Sequence, residues 1–241
     1  MPADVNSVNE EIRNEAKKVL QSKKGMEKVK YFVYYYKVHF IVAVAAIALI
    51  GSVISWYANM KDAVLSVIVV NGKHFDIYDY QGLIDDFGST IEYDEKEEEV
   101  KIDADFLIDV HAHDQYNQTN IQKVFLNVTS KDLDVLLCDE DFMRLTRAQD
   151  CAMDLSKVLP KEMLEKYEDK LVWYDFPKEE VGEEYYEEDY AGRNEAVAID
   201  VTEFAKVKNT DMYQGNTAYA IIIPNTEHLD HAIEFLEYLD K

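Results

Sequence analysis

The side chains of this 241-residue chain that can do chemistry are its histidines, its two cysteines and its abundant carboxylates. His111, His113 and Asp114 lie close enough in sequence to offer two imidazoles and a carboxylate to a metal ion, which zinc accepts. Such a site needs a further ligand from elsewhere, and a polar turn before a helix accounts for the same residues. His228 and His231 stand three apart, the spacing at which residues share a helix face, and read as ordinary exposed histidines. Asp103 and Asp105 project from one face of a strand, where paired carboxylates can hold a divalent ion or move protons; the solvent side of that strand explains them more simply. The acidic runs Glu92 to Glu99 and Glu179 to Asp189 lack the spacing of a calcium loop and read as solvated loops. Cys138 ends a strand and Cys151 follows the next helix, which separates them beyond the ~7 Å Cα limit of a disulfide, so two buried thiols are expected. No Walker A loop, G-x-S-x-G, H-E-x-x-H or C-x-x-C motif occurs. The expectation is a protein that is not an enzyme, with no metal and no cofactor.

The elements that position these residues begin with charge. Lys and Arg number 25 against 48 Asp and Glu, a formal charge of −23, which argues against nucleic acid as a partner because phosphates need a basic footprint. Residues Phe40 to Ala58 read FIVAVAAIALIGSVISWYA, nineteen residues without a charge. At 1.5 Å per residue they reach about 28 Å, close to the ~30 Å hydrocarbon thickness of a bilayer. Tyr31, Phe32, Tyr34, Tyr35 and Tyr36 precede the run and Trp56 and Tyr57 close it, as interfacial aromatic belts do. The leader of nearly forty residues and the bulky Trp56 and Tyr57 fit an uncleaved anchor better than a signal peptide. Residues 1–38 carry 8 basic and 5 acidic side chains, whereas residues 61–241 carry 17 basic and 43 acidic. The positive-inside rule then places the N-terminus in the cytoplasm and the acidic part outside the cell. Three segments are expected: a cytoplasmic N-terminal helical segment over 1–38, a transmembrane helix over 39–60, and an extracellular acidic α/β domain over 61–241. Within the first, Asn9 to Ser22 reads as a helix, and a second helix runs from Met26 into the span.

Beyond residue 60, strand and helix patterns alternate. Ala63 to Asn71 is β-branched and almost continuously apolar, as a strand covered on both faces is. Glu99 to Asp109 alternates Val100, Ile102, Ala104, Phe106 and Ile108 with charged partners, a half-buried strand. Leu133 to Cys138, Leu171 to Phe176, Glu195 to Val201 and Ala218 to Asn225 read as further strands. Helices are expected over Ile77 to Phe87, Asn117 to Val128, the stretch through Ala148 capped by Asp139 or Asp141, Pro160 to Lys170, and from Thr226 onward. This alternation predicts a mostly parallel sheet covered on both sides.

The stretch QKVFLNVTSKDLDVLLCDEDFMRLTRAQDCAMDLSKVLP resembles extracellular solute-binding proteins of the type II periplasmic-binding fold. The matching features are the helix Gln122 to Val128, the polar link Ser130 to Asp132, Asp134-Val135, the helix Phe142 to Gln149, Cys151-Ala152 and Asp154-Leu155. The stretch AYAIIIPNTEHLDHAIEFLEYL is similar to that family's strand followed by an Ala-x-x-Phe-Leu helix, carried by Ala232, Phe235 and Leu236. The tyrosine-rich run before the span also resembles single-pass membrane-anchored proteins of Gram-positive bacteria. Members of the binding-protein family carry a second lobe that closes over the ligand; here only about thirty-five residues, Lys161 to Glu195, lie where it would be inserted. The resemblance therefore implies a reduced type II periplasmic-binding-protein-like domain.

Open α/β sheets bind ligands at the carboxyl ends of their strands, which places a candidate ligand site at Asn71, Gly72, Asp139 and Glu140. Two roles stay open. One is a membrane-tethered extracellular binding or interaction module whose protein or peptide partner is basic, drawn by the carboxylates. The other is a structural or accessory subunit docking on another membrane protein complex.

Overall fold

In the computed structural model of the chain, residues 14, 17, 18, 25–72, 77–112, 114–175 and 193–241 are described. The chain divides into two units, Met1–Met60 and Lys61–Lys241. The helix expected over Asn9 to Ser22, apart from the helical Asn14, Lys17 and Lys18, and the acidic loop expected over Glu179 to Asp189 lie outside the described residues.

The first unit is dominated by α1 (Met26–Ala58), which starts after Gly25 at φ 56°. A positive φ is one that glycine adopts without a Cβ penalty, so the helix has a defined origin. Its segment Tyr36–Ala58 is long and apolar enough to cross a membrane, 23 residues or about 35 Å at 1.5 Å per residue. Every side chain from Lys37 to Ala58 is exposed. An apolar surface on all sides of a helix is what lipid, and not water, accommodates.

The second unit is an α/β domain. Its elements among the described residues are, in order, β1 (Asp62–Val70), α2 (Ile77–Gly88), β2 (Glu98–Phe106), α3 (Gln115–Ser130), β3 (Val135–Cys138), α4 (Glu140–Ala148), α5 (Leu155–Val158), α6 (Lys161–Lys166), β4 (Leu171–Tyr174), β5 (Glu195–Asp200), α7 (Ala205–Asn209), β6 (Tyr219–Ile222) and α8 (Leu229–Asp240). The six strands form one sheet in the order β2-β1-β3-β6-β5-β4. β1 pairs parallel with both β2 and β3, and the pairs β3–β6, β6–β5 and β5–β4 are antiparallel. The sheet is therefore mixed, with its parallel half confined to β2-β1-β3, where a mostly parallel sheet was expected. The apolar runs of β5 and β6 report burial on both faces, and burial is blind to strand direction.

Alternation along the central strands sorts side chains into two cores. Leu65, Val67 and Val69 of β1 join Val135 and Leu137 of β3 on one face, with Phe87 of α2 and Phe235 and Leu236 of α8. Ile68 and Val70 join Leu136 and Cys138 on the other face, with Val124 of α3 and Phe142 of α4. Phe87 meets Phe235 edge-on at 5.1 Å between ring centroids, an arrangement favoured by the ring quadrupole. On β2, Lys101, Asp103 and Asp105 are exposed while Val100 and Phe106 are buried, so the aspartates occupy the solvent side of an edge strand.

Candidate functional site

The site grows out of the way β1 ends. Asn71, the residue after β1, has φ 57°, a left-handed conformation that Asn tolerates better than most residues. Its side chain then runs beside the chain leaving β2. Asn71 Oδ1 accepts from Ile108 N at 2.7 Å, and Asn71 Nδ2 donates to Ile108 O at 2.8 Å. The amide reproduces the donor and acceptor of a neighbouring strand, so the ladder closes on a side chain. This is why β2 stops at Phe106, earlier than the Asp109 expected from its alternation. The second proton of Nδ2 goes to Asp139 Oδ2 at 2.7 Å.

Asp139 faces that amide because it caps α4. Its Oδ1 accepts from Phe142 N at 3.0 Å, which satisfies one of the free N–H groups of the first turn. The next helix over is built alike. Asp114 Oδ1 accepts from Asn117 N at 3.0 Å, Asp114 Oδ2 accepts from Asn117 Nδ2 at 2.6 Å, and Asn117 Oδ1 accepts from Asp109 N at 2.7 Å. The hydrogen bonds from Asn117 hold the Asp114 carboxyl below its ordinary pKa. Asn71 and Asn117 are thus two amides whose polar atoms are spent on protein groups, and they position carboxylates.

Between these two helix starts and the strand ends lies an open pocket of about 500 Å³. Asn71, Ile108, Asn117 and Asp139 line it together with Leu107, Val110, Tyr116, Asp109 and Asp141. Leu107 and Tyr116 are exposed at its rim. Three aspartates line this space, and among the described residues its lining holds no Lys or Arg. Asp141 Oδ2 lies 3.6 Å from His111 Nε2, an exposed contact that carries charge only when the histidine is protonated.

Compared with family models, with curated proteins and with solved structures, the chain gives no match.

Of the residues expected at the site, Asn71 and Asp139 line the pocket. Gly72 is buried instead, and a Cβ there would stand 2.7 Å from Val69 Cγ1. Glu140 lies on the outer surface of α4 in an ion pair with Arg144. The sequence reading missed Asp109, Tyr116, Asn117 and Asp141 as a group. The expected strand takes in Asp109, and the alternation runs on through Val110 and Ala112, so spacing alone does not mark where β2 ends. His113 lies outside the described residues, and among those described no group of three or more metal-ligating side chains is assembled.

The remaining candidates have structural surroundings. Cys138 and Cys151 are free thiols; Cys138 is buried, and Cys151 is only half-buried. Burial, followed by the neighbouring Asp139 charge, pushes the Cys138 thiol well above its usual pKa. His228 and His231 are half-buried and not exposed as expected, because each ring is drawn onto β1 or the start of β3. His228 Nδ1 lies 3.1 Å from Asp134 Oδ2, and His231 Nδ1 lies 3.0 Å from Val64 O. Helical spacing predicted a shared face for these histidines; their partners come from the strands beneath.

Proposed function

We propose that residues 61–241 are a membrane-tethered, extracellular binding module that docks a polypeptide partner at the carboxyl ends of β1, β2 and β3, without catalysis. The observation that carries this reading is the open pocket there, lined by Asp109, Asp139 and Asp141 with no Lys or Arg among the described residues of its lining. Clustered carboxylates favour a basic partner, and a formal charge of −23 on the chain steers one toward it. An open pocket suits an extended chain better than a free solute, since small ligands bind tightly only when most of their surface is buried. The parallel strands β2-β1-β3, joined through α2 and α3, support a reduced binding-protein-like architecture. The anchor reading rests on Tyr36–Ala58, and the outward orientation rests on the basic residues ahead of it.

The test is titration of the full chain in nanodiscs with a pool of Lys- and Arg-containing peptides. The expected result is association that weakens as salt rises and that drops at least tenfold in Asp109→Asn/Asp141→Asn. Neither substitution removes a helix cap. Micromolar binding of a small neutral solute, insensitive to salt, would overturn the proposal.

A further inference from the structure

Asp134 precedes β3, at the opposite end of that strand from the pocket, and it is almost fully buried. Its carboxylate accepts from Ser66 N at 2.7 Å and from the Thr226 hydroxyl, and it faces the His228 ring. Val64, two residues before Ser66 on β1, gives its carbonyl to His231 Nδ1. Two rings are therefore moored on one short stretch of β1 and its neighbour, from positions three apart at the start of α8.

The chemistry of the mooring groups fixes both tautomers. A carbonyl can only accept, so His231 carries its proton on Nδ1 when it bonds Val64 O. An ionised carboxylate is likewise an acceptor, so the neutral His228 ring presents Nδ1–H to Asp134. Each neutral ring is left with its lone pair on Nε2. Among the described residues neither Nε2 has a hydrogen-bond partner. Metal-bound histidines show this same arrangement, with one ring nitrogen on the ion and the other donating to a carboxylate or a backbone carbonyl.

We propose that His228 and His231 chelate a borderline divalent cation, Zn²⁺ being the probe, through their two Nε2 atoms. Water completes the coordination, because no third protein ligand joins them among the described residues. Structural zinc sites are closed by four protein ligands, so a two-imidazole site is open and exchangeable. It takes up ions that prefer nitrogen over oxygen, and it does not hold the fold together. The site is separate from the carboxylate pocket and stands whether or not that pocket binds a partner.

The experiment is calorimetric titration of Zn²⁺ into the full chain in detergent, purified without a histidine tag. One saturable site per chain is expected, unaffected by excess Mg²⁺, which prefers oxygen ligands. His228→Ala and His231→Gln should each weaken it at least tenfold, and Asp134→Asn, which changes the orienting partner along with the acceptor of Ser66 N and Thr226, by roughly ten- to a hundredfold. Circular dichroism establishes that each variant is folded. If His228→Ala unfolds, the decision passes to His231→Gln and to Zn²⁺ protection of both rings from diethyl pyrocarbonate in the unmodified chain. Absence of saturable Zn²⁺ binding, displacement by Mg²⁺, or a site that survives His231→Gln overturns the proposal.

Discussion

The amide of Asn71 and the carboxylate of Asp139 meet at 2.7 Å, Nδ2 to Oδ2, and join the end of β1 to the first turn of α4. The same amide pairs with both backbone groups of Ile108. One side chain therefore ties two strand ends and a helix start. Asn71→Ala leaves these groups without partners in a left-handed turn and should lower stability by about 2–3 kcal/mol. Asn71→Gly restores the backbone freedom but not the bonds and should cost less. Urea unfolding of the full chain in detergent, followed by circular dichroism, measures both.

Gly72 offers a steric counterpart. Because an added Cβ would meet Val69 Cγ1 at 2.7 Å and Met212 Cγ at 3.7 Å, Gly72→Ala should destabilise by about 1–3 kcal/mol, as overpacking does. A lowered thermal midpoint with no change in the secondary structure at 20–25 °C is the expected record.

Asp154 gives a pH dependence with a defined sign. Partial burial raises its pKa, but hydrogen bonds from Ser156, Lys157 and Ala196 N outweigh that and hold it below the ordinary 3.8. A depressed carboxyl pKa stabilises the fold above the unfolded-state value and loses that contribution as pH falls through the folded value. The stability gap between the native chain and Asp154→Asn should be constant above about pH 5 and shrink below about pH 4. Unfolding curves recorded at half-unit pH steps test it.

The two thiols should differ in kinetics. Burial raises the pKa of both, more strongly for the fully buried Cys138, and only the thiolate reacts. At neutral pH a maleimide should modify Cys151 slowly and Cys138 only after unfolding, as peptide mass spectrometry would show.

Topology is testable on intact cells. With the basic segment inside, added protease should degrade the acidic domain and leave the first forty residues intact; protection of the domain would reverse the orientation.

The fold was legible where a residue's environment is repeated along the chain. The alternation of Val100, Ile102 and Ala104 marked β2, and the run from Ala63 marked β1, because both patterns report which faces are covered. The cap of α4 was legible as Asp139 or Asp141, because a carboxylate just ahead of a helix has one dominant use, and Asp139 is the one that takes it. Two short helices, α5 and α7, carried no periodic signal at 4 and 5 residues and were missed. Strand direction was hidden for β6, whose apolar residues answer to both cores and not to the polarity of β3 beside it. The pocket was half legible: Asn71 and Asp139 stand at predicted strand ends, whereas Asp109 and Asn117 come together only through a side-chain bond that no spacing announces.

β6 comes after the other five strands of its sheet in the chain, yet it fills the gap between β3 and β5. Until Tyr219–Ile222 has been made, the chain holds β2-β1-β3 and β5-β4 as separate halves, each with an open row of backbone donors and acceptors. Such bare edges are templates for pairing between molecules, and a closure that depends on distant residues is slow. The growing polypeptide is thus vulnerable to aggregation until Tyr219–Ile222 is available, and any truncation ahead of Tyr219 leaves that vulnerable form as the product.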